Sequence, residues 1–208
     1  QHHIDHRRII VRRRTEYELD QLVDDLQRET HRATPAERNA WRNSLPAFAK
    51  VVSHPSLKGL HLHVGGPGDL MVEYKLPASP SWADVVLLGM GPRGPAAVIV
   101  ELKDWDVSKD RPGARECLVQ RHHGEALHPS DQVKGYTEYC RRFHSAVQDR
   151  GAEVSGCVFF TYSSAADAYI AAPHERLAEL FPVFARSQRD VEERFPRYLE
   201  ERLIAPDA

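Results

Sequence analysis

The run Ala96-Ala97-Val98-Ile99-Val100-Glu101-Leu102-Lys103 decides the fold. Its apolar residues follow one another almost without a break, the pattern of a central strand buried on both faces. Glu101 and Lys103 end it at a spacing of two, which the alternation of a strand puts on one face. Charges at the end of a core strand cost free energy unless they are paired or bind a metal.

Upstream, Trp82 to Leu88 (WADVVLL) reads as a second strand, interrupted by Asp84 and followed by a Gly/Pro loop from Gly89 to Pro95. If the two strands are neighbours, Asp84 and Glu101 can share one divalent cation. Mg²⁺ (or Mn²⁺) suits such a pair, because Mg²⁺ takes hard oxygen ligands and keeps several waters. Lys103 then stands beside the metal, where it can orient or activate a water and offset phosphate charge. A salt bridge between Lys103 and a carboxylate is the plainer reading of the same residues.

Further out, Leu60–Val64 and Leu70–Leu76 read as strands around a Gly65–Gly68 turn. Thr34-Pro35-Ala36-Glu37 marks a helix start, with a cap, a proline at the first position and a glutamate three after the cap. Trp41, Leu45, Phe48 and Val52 recur at helical spacing behind it. Tyr17, Leu19, Leu22 and Leu26 offer a stripe for an earlier helix, and Ile9–Val11 for a short strand. Residues 104–127 read as a polar, irregular loop. Pro129 opens a helix to about Gln148, with Gln132, Tyr136, Phe143 and Val147 on its buried face. Gly156–Tyr162 is a last strand, and helices near Glu175–Arg186 and Gln188–Leu203 finish the chain. The expected fold class is α/β, a mixed central sheet flanked by helices.

The chain's 208 residues and 41% hydrophobic content allow one domain with a real core. No apolar run approaches the roughly 20 residues of a membrane span. A net charge of −2 carries no whole-chain signature of nucleic-acid binding. Local clusters are more informative: Arg7, Arg8, Arg12, Arg13 and Arg14 make a basic arm, which is either solvated or tracks phosphates. The three cysteines, Cys117, Cys140 and Cys157, form neither a disulfide framework nor a C-x-x-C pair, so a reducing, cytoplasmic setting is expected. They also exclude a four-cysteine iron–sulfur cluster within this stretch. His61 and His63, or His122 and His123, lack the companions of a zinc site and read better as surface or groove histidines.

Asp84, Glu101-Leu102-Lys103 and Gln132-x-x-x-Tyr136 resemble the D…E-x-K…Q-x-x-x-Y series of RecB-like nucleases in the PD-(D/E)XK superfamily. Glu37-x-x-x-Trp41, Glu73-Tyr74-x-Leu76-Pro77, Ala83–Gly89, Val98–Trp105 and His128-Pro129 are similar to the nuclease-like N-terminal domain of certain bacterial P-loop helicase-like proteins. The resemblance spans about residues 34–162. It departs from the pattern at Ala83, where the superfamily often has proline. No G-x-x-x-x-G-K-[ST] loop is present in this chain.

That resemblance implies a restriction-endonuclease-like core. Asp84, Glu101 and the Leu102 carbonyl would hold the metal, and Lys103 would serve the nucleophilic water. Gln132 would orient Lys103 or the water, with Tyr136 in support. Glu37 is a further candidate acid, although the capping box accounts for it equally well. Arg111, Arg115, Arg121 and His122 would line the approach of DNA. The expected organisation is a basic arm and helix (1–33), a nuclease core (34–170) and a C-terminal helical extension of the same domain (171–208). The expected activity is Mg²⁺/Mn²⁺-dependent hydrolysis of phosphodiester bonds in DNA, in anti-phage defence or DNA processing, with a helicase or ATPase as a potential partner and no membrane. The alternative is a catalytically silent nucleic-acid-binding or regulatory module of a larger helicase-like protein.

Overall fold

A computed structural model describes residues 16–30, 34–58, 72–76 and 79–204. The basic arm, the Ile9–Val11 and Leu60–Val64 strands, the Gly65–Gly68 turn and His61 and His63 lie outside the described residues. Among those described, the chain is a mixed α/β fold: helices flank a five-stranded sheet in the order β1 (Val72–Lys75), β2 (Trp82–Gly91), β3 (Gly94–Lys103), β7 (Glu153–Phe160) and β8 (Val183–Phe184).

Two helices come first. α1 (Glu16–Thr30) buries Leu22, Val23 and Leu26 against Trp41 and Leu45 of α2 (Pro35–Val52). The start of α2 is the capping box expected: the Glu37 N–H donates to Thr34 Oγ1 at 3.2 Å, and the Thr34 N–H donates to Glu37 Oε2 at 3.0 Å.

β1 (Val72–Lys75), β2 (Trp82–Gly91) and β3 (Gly94–Lys103) form an antiparallel meander. The expected Gly89–Pro95 loop is instead mostly strand. Gly91 pairs with Gly94 across a tight turn, whose reversal needs the positive φ of 129° at Gly94. At Gly89, a Cβ would meet the Leu203 carbonyl oxygen at 2.4 Å, so glycine there serves close packing rather than a loop.

β7 (Glu153–Phe160) runs parallel to β3, and β8 (Val183–Phe184) runs parallel to β7. Between β3 and β7 the chain makes a small antiparallel sheet and then α3 (Pro129–Phe143). The small sheet corrects the reading of 104–127 as irregular. It consists of β4 (Arg111–Pro112), β5 (Leu118–Arg121) and β6 (Gly124–Leu127). The strands are short and polar, and Val119 is their one fully buried side chain, so no periodicity announces them. Gly124, with φ 116°, closes the β5–β6 turn.

Alternation sorts the core strands. Val98 and Val100 of β3, with Cys157 and Phe159 of β7, pack on α2 and on α6 (Phe195–Leu203) through Phe48, Val51, Phe195 and Leu199. Ile99 and Val154 pack on the other side, under Tyr136 and Cys140 of α3. There α3 lies so close that a Cβ on Gly156 would meet Val133 Cγ1 at 2.2 Å.

Two further expectations are corrected. The helix from Pro129 breaks at His144 (ψ 112°), and α4 (Ser145–Arg150) restarts beyond it. The break leaves Phe143 70% exposed, not on the buried face. The segment 171–203 is not purely helical either. α5 (Glu175–Leu180) ends before Pro182, whose fixed φ and missing N–H disfavour helix. The chain then adds β8 to the sheet, with the Val158 N–H donating to the Pro182 carbonyl at 2.9 Å. No described helix is long and apolar enough to cross a membrane.

Candidate active site

The ladder between β2 and β3 is regular from Gly91↔Gly94 to Val85↔Val100. At the next position a side chain replaces it: the Leu102 N–H donates to Asp84 Oδ2 at 2.7 Å. Continuing the register by one residue sets Asp84 across from Glu101, so both acids belong to one face of the sheet. Backbone pairing of β1 with β2 sets position 73 across from Asp84 in the same way.

Glu101 is 1% exposed, yet it is not buried without compensation. Lys103 Nζ lies 2.5 Å from Glu101 Oε1 and 3.4 Å from Gln132 Oε1. Gln132 Nε2 in turn donates to the Tyr136 hydroxyl at 2.6 Å. Glu101, Lys103, Gln132 and Tyr136 are therefore one hydrogen-bonded series, built where the end of β3 faces the first turns of α3. The i, i+4 spacing of Gln132 and Tyr136 puts both on the helix face that looks at the sheet.

Electrostatics follow from this packing. Burial pulls the Lys103 pKa down, but the Glu101 and Asp84 carboxylates outweigh burial and raise it above its ordinary value. Lys103 is accordingly an ammonium. Burial, with help from the Glu101 charge, pushes Tyr136 up to about 12, so it remains a neutral hydroxyl.

Trp105 extends the series outward. Lys103 Nζ lies 5.1 Å from its ring centroid, and the Arg121 guanidinium lies 3.8 Å from it. Arg121 is anchored from behind, because its Nε donates to Asp110 Oδ2 at 3.1 Å and the Tyr169 hydroxyl donates to the same oxygen at 2.6 Å. The Arg121 side chain is only 16% exposed, which places it in the wall of the site. Arg111, Arg115 and His122 are exposed on or beside the small sheet. Glu37 sits in its capping box at the start of α2. Spacing alone did not single out Trp105 as part of the site; its place directly after Glu101–Asp104 was the available signal.

Among the described residues, no three His, Cys, Asp or Glu side chains come together as a metal-binding group. The candidate donor set is smaller: the Asp84 and Glu101 carboxylates and the backbone of Leu102. Its chemistry fits Mg²⁺, which takes one or two carboxylates and completes its shell with water. It does not fit zinc in a structural site, which needs four protein ligands.

No family model matches the chain, and comparison with curated proteins and with solved structures gave no match.

Proposed function

We propose that this chain is a Mg²⁺- or Mn²⁺-dependent nuclease of the PD-(D/E)XK class, acting on phosphodiester bonds of DNA. The observation that carries the reading is the union of Asp84, Glu101, Lys103, Gln132 and Tyr136 at one end of β2 and β3. Its two acids and its lysine interrupt or end core strands, where a purely structural role would be met at lower free-energy cost by apolar residues. The order of a helix, three antiparallel strands, a helix and a parallel strand is compatible with the restriction-endonuclease-like core implied by the resemblance.

In this reading Asp84, Glu101 and the Leu102 carbonyl hold the metal, which when bound supplies Lewis-acid polarisation of the phosphoryl oxygens. The remaining work falls to the protein. Lys103, as an ammonium, donates to the attacking water or a phosphate oxygen and offsets charge that builds up as the bond breaks. Gln132 fixes the Lys103 head group through its amide oxygen, and Tyr136 fixes the amide. Trp105, held by Arg121, limits where the lysine can swing.

Incubation of supercoiled plasmid with the purified chain in Mg²⁺, Mn²⁺ or EDTA tests the proposal. Nicked or linear product is expected with the metals and none in EDTA. A chain that binds DNA but leaves the plasmid intact in both metals is the silent module instead.

A further inference from the structure

A cleft of about 730 Å³ opens at the ends of the two parallel central strands, the same end of the sheet as the candidate active site but on the face covered by α2. Asp104 lines it directly after β3, and Thr161 and Tyr162 line it directly after β7. The opposite wall comes from α2 and from the segment between β8 and α6. The cleft is tied to the strand that carries the site lysine through the backbone, where the Thr161 N–H donates to the Lys103 carbonyl at 3.0 Å. Crevices at the carboxyl ends of parallel strands are a recurrent place for ligands.

The lining has a definite chemistry. Arg42, Lys50 and Arg186 bring three cations. The two acids in the wall are engaged by amides: Asn43 Nδ2 donates to Asp104 Oδ2 at 2.7 Å, and Gln188 Nε2 donates to Glu192 Oε2 at 3.0 Å. Arg42 also meets Asp20 at 2.8 Å through Nε, which leaves its terminal nitrogens out of that bond. Tyr162 presents an aromatic ring that is 59% exposed. Asp104 Oδ1 is buried and has no hydrogen-bond partner among the described residues.

We propose that this cleft binds one unpaired nucleotide, with its phosphate on Arg42, Lys50 and Arg186 and its base on the Tyr162 ring. Cationic side chains beside an exposed aromatic are how proteins hold single-stranded nucleic acid. The volume suits a ligand of nucleotide size and is too large for a bare anion. Resting on the nuclease reading, the nucleotide belongs to the same strand as the scissile phosphate, so the substrate is a single strand or a frayed end; a stacked, paired base cannot enter such a pocket.

The test is calorimetric titration of the full chain, in EDTA, with GMP, guanosine and inorganic phosphate, followed by competition with a short single-stranded oligonucleotide and its blunt duplex. GMP is expected to bind at least about tenfold more tightly than guanosine or phosphate, since it uses stacking and charge together. Tyr162→Ala and Arg186→Gln should each weaken it about tenfold, with unchanged thermal melting because both side chains are at the surface. The single strand should displace GMP better than the duplex. Equal binding of phosphate and GMP, or no effect of either substitution, overturns the pocket. Displacement of GMP by neither strand makes the ligand a free nucleotide and overturns the substrate-strand assignment. Plasmid nicking without GMP binding sinks the pocket alone, and GMP binding without nicking sinks the nuclease alone.

Discussion

Lys103 Nζ and Glu101 Oε1 lie 2.5 Å apart, and the Glu101 side chain is only 2% exposed. Two residues apart on one strand, they form a buried ion pair directly at the proposed reaction centre. This pair changes what a lysine substitution should do. Removing one partner leaves an uncompensated buried carboxylate, which typically costs about 3–5 kcal/mol. Lys103→Met is therefore expected to lower stability as well as cleavage. Cleavage should fall by roughly two orders of magnitude or more, the scale of losing one preorganised charge stabiliser. The double variant Glu101→Gln/Lys103→Met should regain most of the stability and none of the activity. Paired denaturation and nicking assays check both parts, and a double variant that cleaves at the wild-type rate would refute the role of the pair. Lys103→Arg should restore stability better than activity, because a planar guanidinium does not replace a compact ammonium.

Asp84 accepts the Leu102 N–H, and by register it stands across from Glu101. Two carboxylates so placed repel, and a divalent cation relieves the repulsion. Calorimetric titration with Mn²⁺ should show binding to the wild type and a loss of at least about tenfold in Asp84→Asn. The amide oxygen of asparagine still accepts from Leu102, so the backbone should stay in place. Wild-type Mn²⁺ affinity in this variant would remove Asp84 from the metal site.

The arginines near the site should separate into two behaviours. Arg121 is pinned between Trp105 and Asp110, so Arg121→Ala should destabilise the fold and disturb Lys103 through Trp105. Arg111 and Arg115 are exposed, and replacing them should leave melting unchanged. If they meet phosphates, each replacement reduces the slope of log K against log salt by about 1. An unchanged slope in Arg111→Ala/Arg115→Ala places the DNA elsewhere on the surface.

The legible and illegible parts of this chain divide along physical lines. β3, α2 and the start of α3 were readable because each is fixed by a local signal: a continuous apolar run, a capping box, and a proline after a capping residue. The candidate site was readable because its charges sit where the apolar pattern forbids them. The small sheet was not, since strands of two to four residues bury too little to leave a pattern. The fate of Arg121 was not readable either. Its Asp110 and Tyr169 partners come from segments 11 and 48 residues away, and no local rule specifies such pairing. β8 leaves no separate signal, because Phe181–Ala185 is apolar at both helical and strand spacing, and only Pro182 marks the break.

His128 supplies a pH dependence whose sign is fixed by its two hydrogen bonds. The Ser130 N–H donates to His128 Nδ1 at 3.0 Å and caps α3. Nδ1 must then be the bare nitrogen, and Nε2–H donates to the Tyr169 carbonyl at 3.1 Å. The ring is fully buried, against Tyr169 at 5.3 Å and His174 at 4.6 Å between centroids. Burial, opposed by the Tyr169 carbonyl and aided by His174, lowers its pKa from 6.5 to about 4. In the window between those values the unfolded chain takes up a proton that the folded chain refuses, so stability is lost as pH falls from 6.5 toward 4 and is fully present above 6.5. The loss attributable to His128 is on the order of 3 kcal/mol at the bottom of the window. Denaturant unfolding at steps across this window should show that decline. His128→Asn keeps a capping acceptor and removes the titration. It should lower stability at neutral pH through lost packing, yet flatten the acid limb between 6.5 and 4. An acid limb as steep in His128→Asn as in the wild type would assign the dependence to other groups and end this account of His128.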